Sequence, residues 1–443
     1  MKLKELKKYI QLRYFIVLIL GLGTYSLMSQ RIGFATNLLC MNQEGNSFNY
    51  SIKVRSDLQS YFYIGYAVAQ IPLSIIFKVY GVKYTVSVIF FIFSLITFLT
   101  PFVAESSIQG FYISRLISGL TAACWFPSVF NVLPKWIPPF ELNIMQAFIY
   151  SGMHIAAITA PFLTQQLCET QYSWKSPFYF FGSFGGVYSF VYLIFIYDNP
   201  FKCWAMSENE KTYLKGKITS PTKKKPIELK KLLTCVPLWV SAFCQFCLDW
   251  GSYLLYTSAA NYLQDFFNYS IEWNSLIQGL TMLGLWGGQT FFTLIVALLI
   301  KKTKLSLIQI RKLMTGLGFI LPSAILFIIC MLSKNQGTLA VVFLTLSCFF
   351  TSAVYLGSMM TVFDCTPSNS GEIFAVMNSI SAISGYLAPW LLGLLVEKYG
   401  DYGWQYSFAI NASLYVFAGM LFLIFGKAEL QPWELTEFLT ESI

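Results

Sequence analysis

Apolar residues come in long blocks along this chain, and short polar stretches punctuate them. A helix that crosses a bilayer needs about 20 mostly apolar residues. Twelve blocks meet that length, over residues 14–41, 57–79, 83–104, 109–133, 141–168, 176–197, 237–264, 273–300, 306–332, 337–362, 371–396 and 403–426. One long polar stretch, 198–236, separates six blocks from six, and its "PTKKKP" reads as a solvated linker. The pattern predicts an all-α membrane protein. Residues 1–197 form one six-helix half, 198–236 a cytoplasmic central loop, 237–426 a second six-helix half and 427–443 a cytoplasmic tail.

The basic residues order these blocks. With the N-terminus in the cytoplasm, 23 Lys and Arg fall on the cytoplasmic side and five outside. An excess of that sign marks the inner face, so both termini are expected there. Two glycosylation sequons agree: Asn49-Tyr50-Ser51 and Asn268-Tyr269-Ser270 fall in loops the count places outside. A third, at Asn411, lies inside the last block and is expected to stay unmodified. Twelve spans in two six-helix halves around a midplane site is the arrangement of the major facilitator fold.

Composition narrows the class. The 443 residues are 56% hydrophobic and 12% charged, with mean hydropathy +0.58, whereas soluble proteins are about 25% charged. The net charge of +9 is no nucleic-acid signature, because the cations sit in short loops between apolar blocks. The first block follows Lys2, Lys4, Lys7, Lys8 and Arg13 and has no small-residue cleavage site, so it is expected to remain as an anchor. Ten cysteines and one histidine are scattered. Cys244 and Cys247 form a lone CxxC, too few ligands for zinc, and no metal or cofactor is expected. Cys40 and Cys168 both fall near the outer face, a placement compatible with one disulfide that nothing else in the sequence supports.

Charges inside the blocks carry the candidate chemistry. Each costs about 2.5–3.5 kcal/mol on insertion scales, so it is functional by default. Arg31 lies 17 residues beyond Tyr14, about 26 Å along a helix. Arg115 lies a short way into a helix entered from outside. Both are expected in the outer half, facing a water-filled cavity and anchoring a small anionic substrate, since guanidinium binds carboxylate or phosphate bidentately. The competing reading is a permanent ion pair with Asp249. Asp249 itself either couples transport by taking up a proton when its arginine is occupied, or serves a helix–helix hydrogen bond. His154 is either a buried hydrogen bonder or a group that titrates near neutral pH. Tyr253, with Tyr256 and Tyr355, is placed in the same cavity. Gly65, Gly119, Gly152, Gly185, Gly186, Gly287 and Gly288 are expected at close helix contacts.

Several stretches carry a family resemblance: "FYIGYAVAQIP" (62–72), "SRLISGL" (114–120), "PKWIPPFE" (134–141), "FYFFGSFGGVYSFVYLIFIYDNP" (178–200), "SENEKTYL" (207–214), "RKLMTGLGF" (311–319), "WQYSF" (404–408) and "AELQPW" (428–433). In order and over nearly the whole chain, they resemble solute carrier family 17. That family contains the type I sodium/phosphate cotransporters, sialin and the vesicular glutamate transporters. The resemblance is nearest to the phosphate branch. It implies an organic-anion or phosphate carrier driven by protons, sodium or membrane potential, with Arg31 and Arg115 matching the first- and fourth-helix arginines linked to anion binding. The sequence departs from the family at several positions. The fourth-helix Gly-x-x-Glu becomes Gly119-Leu120-Thr121-Ala122. The seventh-helix arginine of the glutamate carriers is Leu248, and their second-helix histidine is Gln59. The Asn after the first-helix arginine is Gly33. The loop-motif Asp is Lys78, echoed by Ala297.

The expected function is secondary active transport of small organic anions or inorganic phosphate. The alternatives are a receptor or scaffold of the same fold that no longer transports, and a membrane enzyme, for which clustered chemistry is missing. The expected partners are the anion and the lipid bilayer, with a monomer plausible. The plasma membrane is favoured over a vesicular or lysosomal one. Glu228–Leu233 matches an acidic-dileucine signal, but the favoured reading is an amphipathic lead-in to the seventh span.

Overall fold

The computed structural model describes residues 11–41, 48, 50, 52–218, 234–267 and 271–432. Among these residues every regular element is a helix. The chain divides into two compact units. The first is Met1–Pro226 with Ser368–Ala375, and the second is Ile227–Pro367 with Val376–Ile443.

In the first unit the helices are α1 (Leu12–Met41), α2 (Ile52–Tyr80), α3 (Val82–Ser106), α4 (Ile108–Ala122), α5 (Trp125–Trp136), α6 (Leu142–Cys168), α7 (Ser176–Phe195) and the short α8 (Glu208–Leu214). The expected fourth span forms as two helices, α4 and α5. Pro127 has no N–H to give the Ala123 carbonyl, and its ring crowds that carbonyl, so the helix is interrupted there. In this unit α1 packs chiefly on α6, α2 on α4, and α3 on α7.

The later helices are α9 (Val236–Phe267), α10 (Ile271–Lys302), α11 (Leu307–Cys330), α12 (Gly337–Thr351), α13 (Thr361–Cys365), α14 (Ser370–Ala382), α15 (Ser384–Tyr399) and α16 (Tyr402–Phe425). The expected tenth span breaks after Thr351 into tight turns at Ser352–Leu356 and Ser358–Met360. Within the second unit α11 packs on α16 and α12, α10 on α12, and α9 on α16 and α15. Eleven segments among the described residues are long and apolar enough to cross a membrane. The expected seventh span is α9, some of whose side chains lie outside the described residues.

Two glycines set the α2–α4 contact. A Cβ on Gly119 would collide with the Phe62 carbonyl, and one on Gly65 with the Leu116 carbonyl. Small residues at such crossings let backbones touch where no hydrophobic force drives helices together. Other glycines do not act this way: Gly287 has nothing within 4 Å, and Gly186 meets only the Phe91 ring at 4.0 Å.

The unit also buries charges that the sequence places in cytoplasmic loops. Arg13 is 3% exposed. Its Nε and Nη2 donate to the Glu141 carboxylate at 3.1 Å each. Glu210 of α8 accepts from the backbone N–H of Leu12 at 2.8 Å and of Arg13 at 3.0 Å, so it caps the first turn of α1. Lys78 lies 2.8 Å from the Glu372 carboxylate and donates to Asn369 at 3.0 Å, both within the first unit's 368–375 segment. In the second unit Arg311 makes a bidentate pair with Asp364, at 2.7 and 3.2 Å, and donates to the Leu356 carbonyl at 2.8 Å. A disulfide joins Cys40 at the end of α1 to Cys168 at the end of α6.

Candidate functional site

Helix α1 carries Arg31, and α4 carries Arg115 one turn before Gly119. Because Gly119 lets α4 lie on the α2 backbone, Arg115 comes against Leu58 and Phe62. Its Nε donates to the Leu58 carbonyl at 3.2 Å. Its guanidinium carbon is 3.6 Å from the centre of the Phe34 ring and 5.0 Å from that of Phe62. The Arg31 guanidinium carbon is 4.7 Å from the Tyr63 ring centre and 5.5 Å from those of Phe62 and Tyr66. The Phe62 ring is therefore common to both cations. Each such contact is worth about 0.5–2 kcal/mol, more where water is excluded.

Arg31 is half-buried, whereas Arg115 is 7% exposed and so not solvated as the sequence suggested. The contrast with the other buried arginines is informative. Arg13 and Arg311 each hold a carboxylate. Among the described residues Arg115 has no carboxylate partner; rings and one carbonyl surround it. A buried charge left without a counter-charge is costly, and an anion presented to its fork would supply what is missing.

The remaining expected residues are spread over both units. His154 is fully buried on α6. Asp249 and Tyr253 stand on α9 in the second unit, Tyr253 only 7% exposed. The Asp249 carboxylate accepts a short hydrogen bond from the Ser381 hydroxyl, which also lies 3.3 Å from the Gln245 carbonyl. Beside them the Gln245 amide donates to Asn378 at 2.8 Å. Tyr355 is buried in the turn after α12. Asn49, Asn268, residues 228–233 and the Tyr256 side chain lie outside the described residues.

Sequence reasoning missed the collar of Phe34, Phe62, Tyr63 and Tyr66. Its signal is present, since Phe62 and Tyr66 are four apart and share a helix face. In a chain that is 18% aromatic, that spacing does not stand out.

Known proteins resemble this chain along most of its length. A putative inorganic phosphate cotransporter of Drosophila melanogaster is 29% identical over 404 residues, covering 89% of this chain and 76% of that protein. Human sialin is 25% identical over 401 residues, covering 89% and 80%. Vesicular glutamate transporter 1 of Bos taurus is 26% identical over 454 residues, covering 97% and 79%. These are relatives of the kinds the motif resemblance named, and two of the three are transporters by name. In three dimensions the crystal structure of the E. coli fucose:proton symporter FucP superposes with a TM-score of 0.67. It covers 94% of this chain and 99% of its own at 14% identity, a likeness of fold. The model of the Major Facilitator Superfamily matches residues 14–389. With six-helix patterning, polytopic helices and a match of that extent, the chain belongs to the Major Facilitator Superfamily.

Proposed function

We propose that this chain is a secondary active transporter of small organic anions or inorganic phosphate, and that Arg31 and Arg115 hold the anion. One observation carries the reading: Arg115 is buried against Phe34 and Phe62 with no carboxylate partner among the described residues. A cation kept in low dielectric by neutral groups is a standing demand for an anion. The phosphate, sialin and glutamate relatives support the same substrate class. The N- and C-termini face the cytoplasm on the charge count, and the plasma membrane is the membrane of choice. Asp249 is the proposed coupling carboxylate, with proton or sodium as the coupling ion, His154 a secondary candidate for it, and Tyr253 an accessory hydroxyl.

The test is uptake of a panel of labelled anions into liposomes holding the purified chain, under separate proton, sodium and voltage gradients. Flux of any anion driven by one of these gradients is expected, and Arg31→Gln should abolish it at unchanged protein insertion. Unchanged flux in Arg31→Gln removes that residue from the site; no flux of any anion leaves the receptor or scaffold reading. Asp249→Asn should flatten the pH dependence of uptake while sparing exchange of anion for anion, and a surviving pH dependence places the coupling elsewhere.

A further inference from the structure

Helix α2 carries a third arginine that the anion site as described does not use. Arg55 stands in its first turn, at the end the charge count places outside. An α-helix turns about 100° per residue, so Phe62 and Tyr66 each lie within about 20° of the direction of Arg55, with Phe62 about 10.5 Å further along the axis. Both rings are buried, and Phe62 is the one that Arg31 and Arg115 share. The exposed apolar side of α2, with Ile64, Val68 and Ile75, is about 180–220° round from Arg55. Arg55 therefore points to the collar side of the helix, away from the side suited to lipid tails.

Its surroundings set it apart from the other cations of the first unit. Lys175 holds Glu105 at 2.5 Å, Arg13 holds Glu141 and Lys78 holds Glu372. Arg55 is half-buried, and its Nε is shielded from solvent with no hydrogen-bond partner among the described residues. A donor left so carries a desolvation penalty that an incoming acceptor would remove. Leu58, three residues further along α2, gives its carbonyl to Arg115 Nε at 3.2 Å, so Arg55 stands about one turn outward from the Arg115 contact. Val54 and Leu58 pack into the apolar cluster of Phe34, Phe111 and Trp174, which offers a hydrated anion nothing. Arg55 and the half-buried Gln59 stand beside it on α2.

We propose that Arg55 is a staging cation for the transported anion: its guanidinium takes a small carboxylate or phosphate arriving from outside, and the anion passes from it along the Phe62 side of α2 to Arg115 and Arg31. The proposal rests on the anion reading above and adds to it a first binding position and a direction of approach. The fork suits both carboxylate and phosphate, and a lipid headgroup phosphate would offer it the same oxygens.

Initial-rate uptake into liposomes holding the purified full chain tests it, with labelled inorganic phosphate as probe, or whichever anion of the panel gives the greatest flux. Arg55→Gln should raise KM about three- to fivefold, as expected of one charge about 10 Å from the bound anion, and cut the maximal rate less than about twofold. Arg55→Lys keeps the charge and should recover most of the KM. Raising the ionic strength should shrink the difference between Arg55→Gln and wild type, because screening weakens a charge that acts at this range; a merely structural role would not respond so. Wild-type flux with an unchanged KM in Arg55→Gln overturns the staging role and leaves the anion reading standing. No flux of any panel anion through the wild-type chain overturns the anion reading, and the staging role with it. Equal KM losses in Arg55→Gln and Arg55→Lys, with both melting below wild type, give Arg55 to packing and overturn the proposal. So does an unchanged KM accompanied by weaker retention of anionic lipid in Arg55→Gln, which gives the guanidinium to a headgroup.

Discussion

The guanidinium carbon of Arg115, on α4, lies 3.6 Å from the centre of the Phe34 ring, on α1. That puts the cation over the face of a π system, and an ammonium on a flexible stem does not reproduce the contact. Arg115→Lys keeps the charge but loses that contact and the fork. It should cut anion uptake at least about tenfold, roughly 1.4 kcal/mol, with surface abundance unchanged. Phe34→Leu keeps the fork and should cost less. Wild-type uptake by Arg115→Lys in a transport assay would remove the fork from substrate binding.

Gly119 and Gly287 both lie inside apolar helices and differ in their surroundings. Gly119→Ala drives a methyl into the Phe62 carbonyl, which separates α2 from α4 and disturbs the Arg115 contacts. Overpacking of this kind costs about 1–3 kcal/mol, so the variant should melt lower and give less folded protein. Gly287 has open space around it. Gly287→Ala should melt at or slightly above wild type, since alanine restricts the unfolded chain at no steric cost. Melting of the pair in detergent compares them directly, and equal losses would show that the α2–α4 approach is not glycine-dependent.

The spans were legible because a bilayer demands long uninterrupted apolar runs. The block 83–104 becomes Val82–Ser106 with little change. The interruptions at Pro127 and after Thr351 were not legible, because both lie inside runs that hydropathy reads as continuous. Arg31 and Arg115 stood out as cations within apolar blocks, so part of the candidate site was visible before any coordinates. Arg13 and Arg311 did not stand out. Each sits at the edge of a block among other basic residues, and its carboxylate is distant in sequence: Glu141 is 128 residues from Arg13, and Asp364 is 53 from Arg311. Hydropathy has no access to such tertiary partners. The aromatic collar escaped for a different reason, since 41 Phe and 27 Tyr make any given ring unremarked.

The Arg311–Asp364 pair should be a point of fragility. The Arg311 side chain is 2% exposed and that of Asp364 11%. Removing one partner of a buried pair leaves an uncompensated charge and costs about 3–5 kcal/mol. Asp364→Asn should therefore melt well below wild type. The double variant Arg311→Met with Asp364→Leu should recover much of the loss, because it leaves no charge behind. A double variant as unstable as Asp364→Asn would mean that the hydrogen bond from Arg311 to Leu356 matters more than charge balance.

Glu210 ties the start of the central loop to the first helix. Its two carboxylate oxygens accept the Leu12 and Arg13 backbone N–H groups, donors that a helix start leaves without intrahelical partners. A negative charge there also complements the positive end of the α1 dipole. The same carboxylate lies 4.0 Å from Arg13 Nη1, so Glu210→Ala removes a cap and a counter-charge together. Loss of a cap alone costs about 0.5–2 kcal/mol. Helix α8 is only seven residues long and cannot persist by its own propensity, so its docking should weaken sharply. Trypsin cleavage after Lys211 and Lys217 should then accelerate in Glu210→Ala, while Glu208→Ala, whose carboxylate pairs with Lys211 on the exposed side of α8, should cleave at the wild-type rate. Equal cleavage of both variants and wild type would mean that α8 is held by its apolar contacts, with Leu214 fully buried, and not by the Glu210 cap.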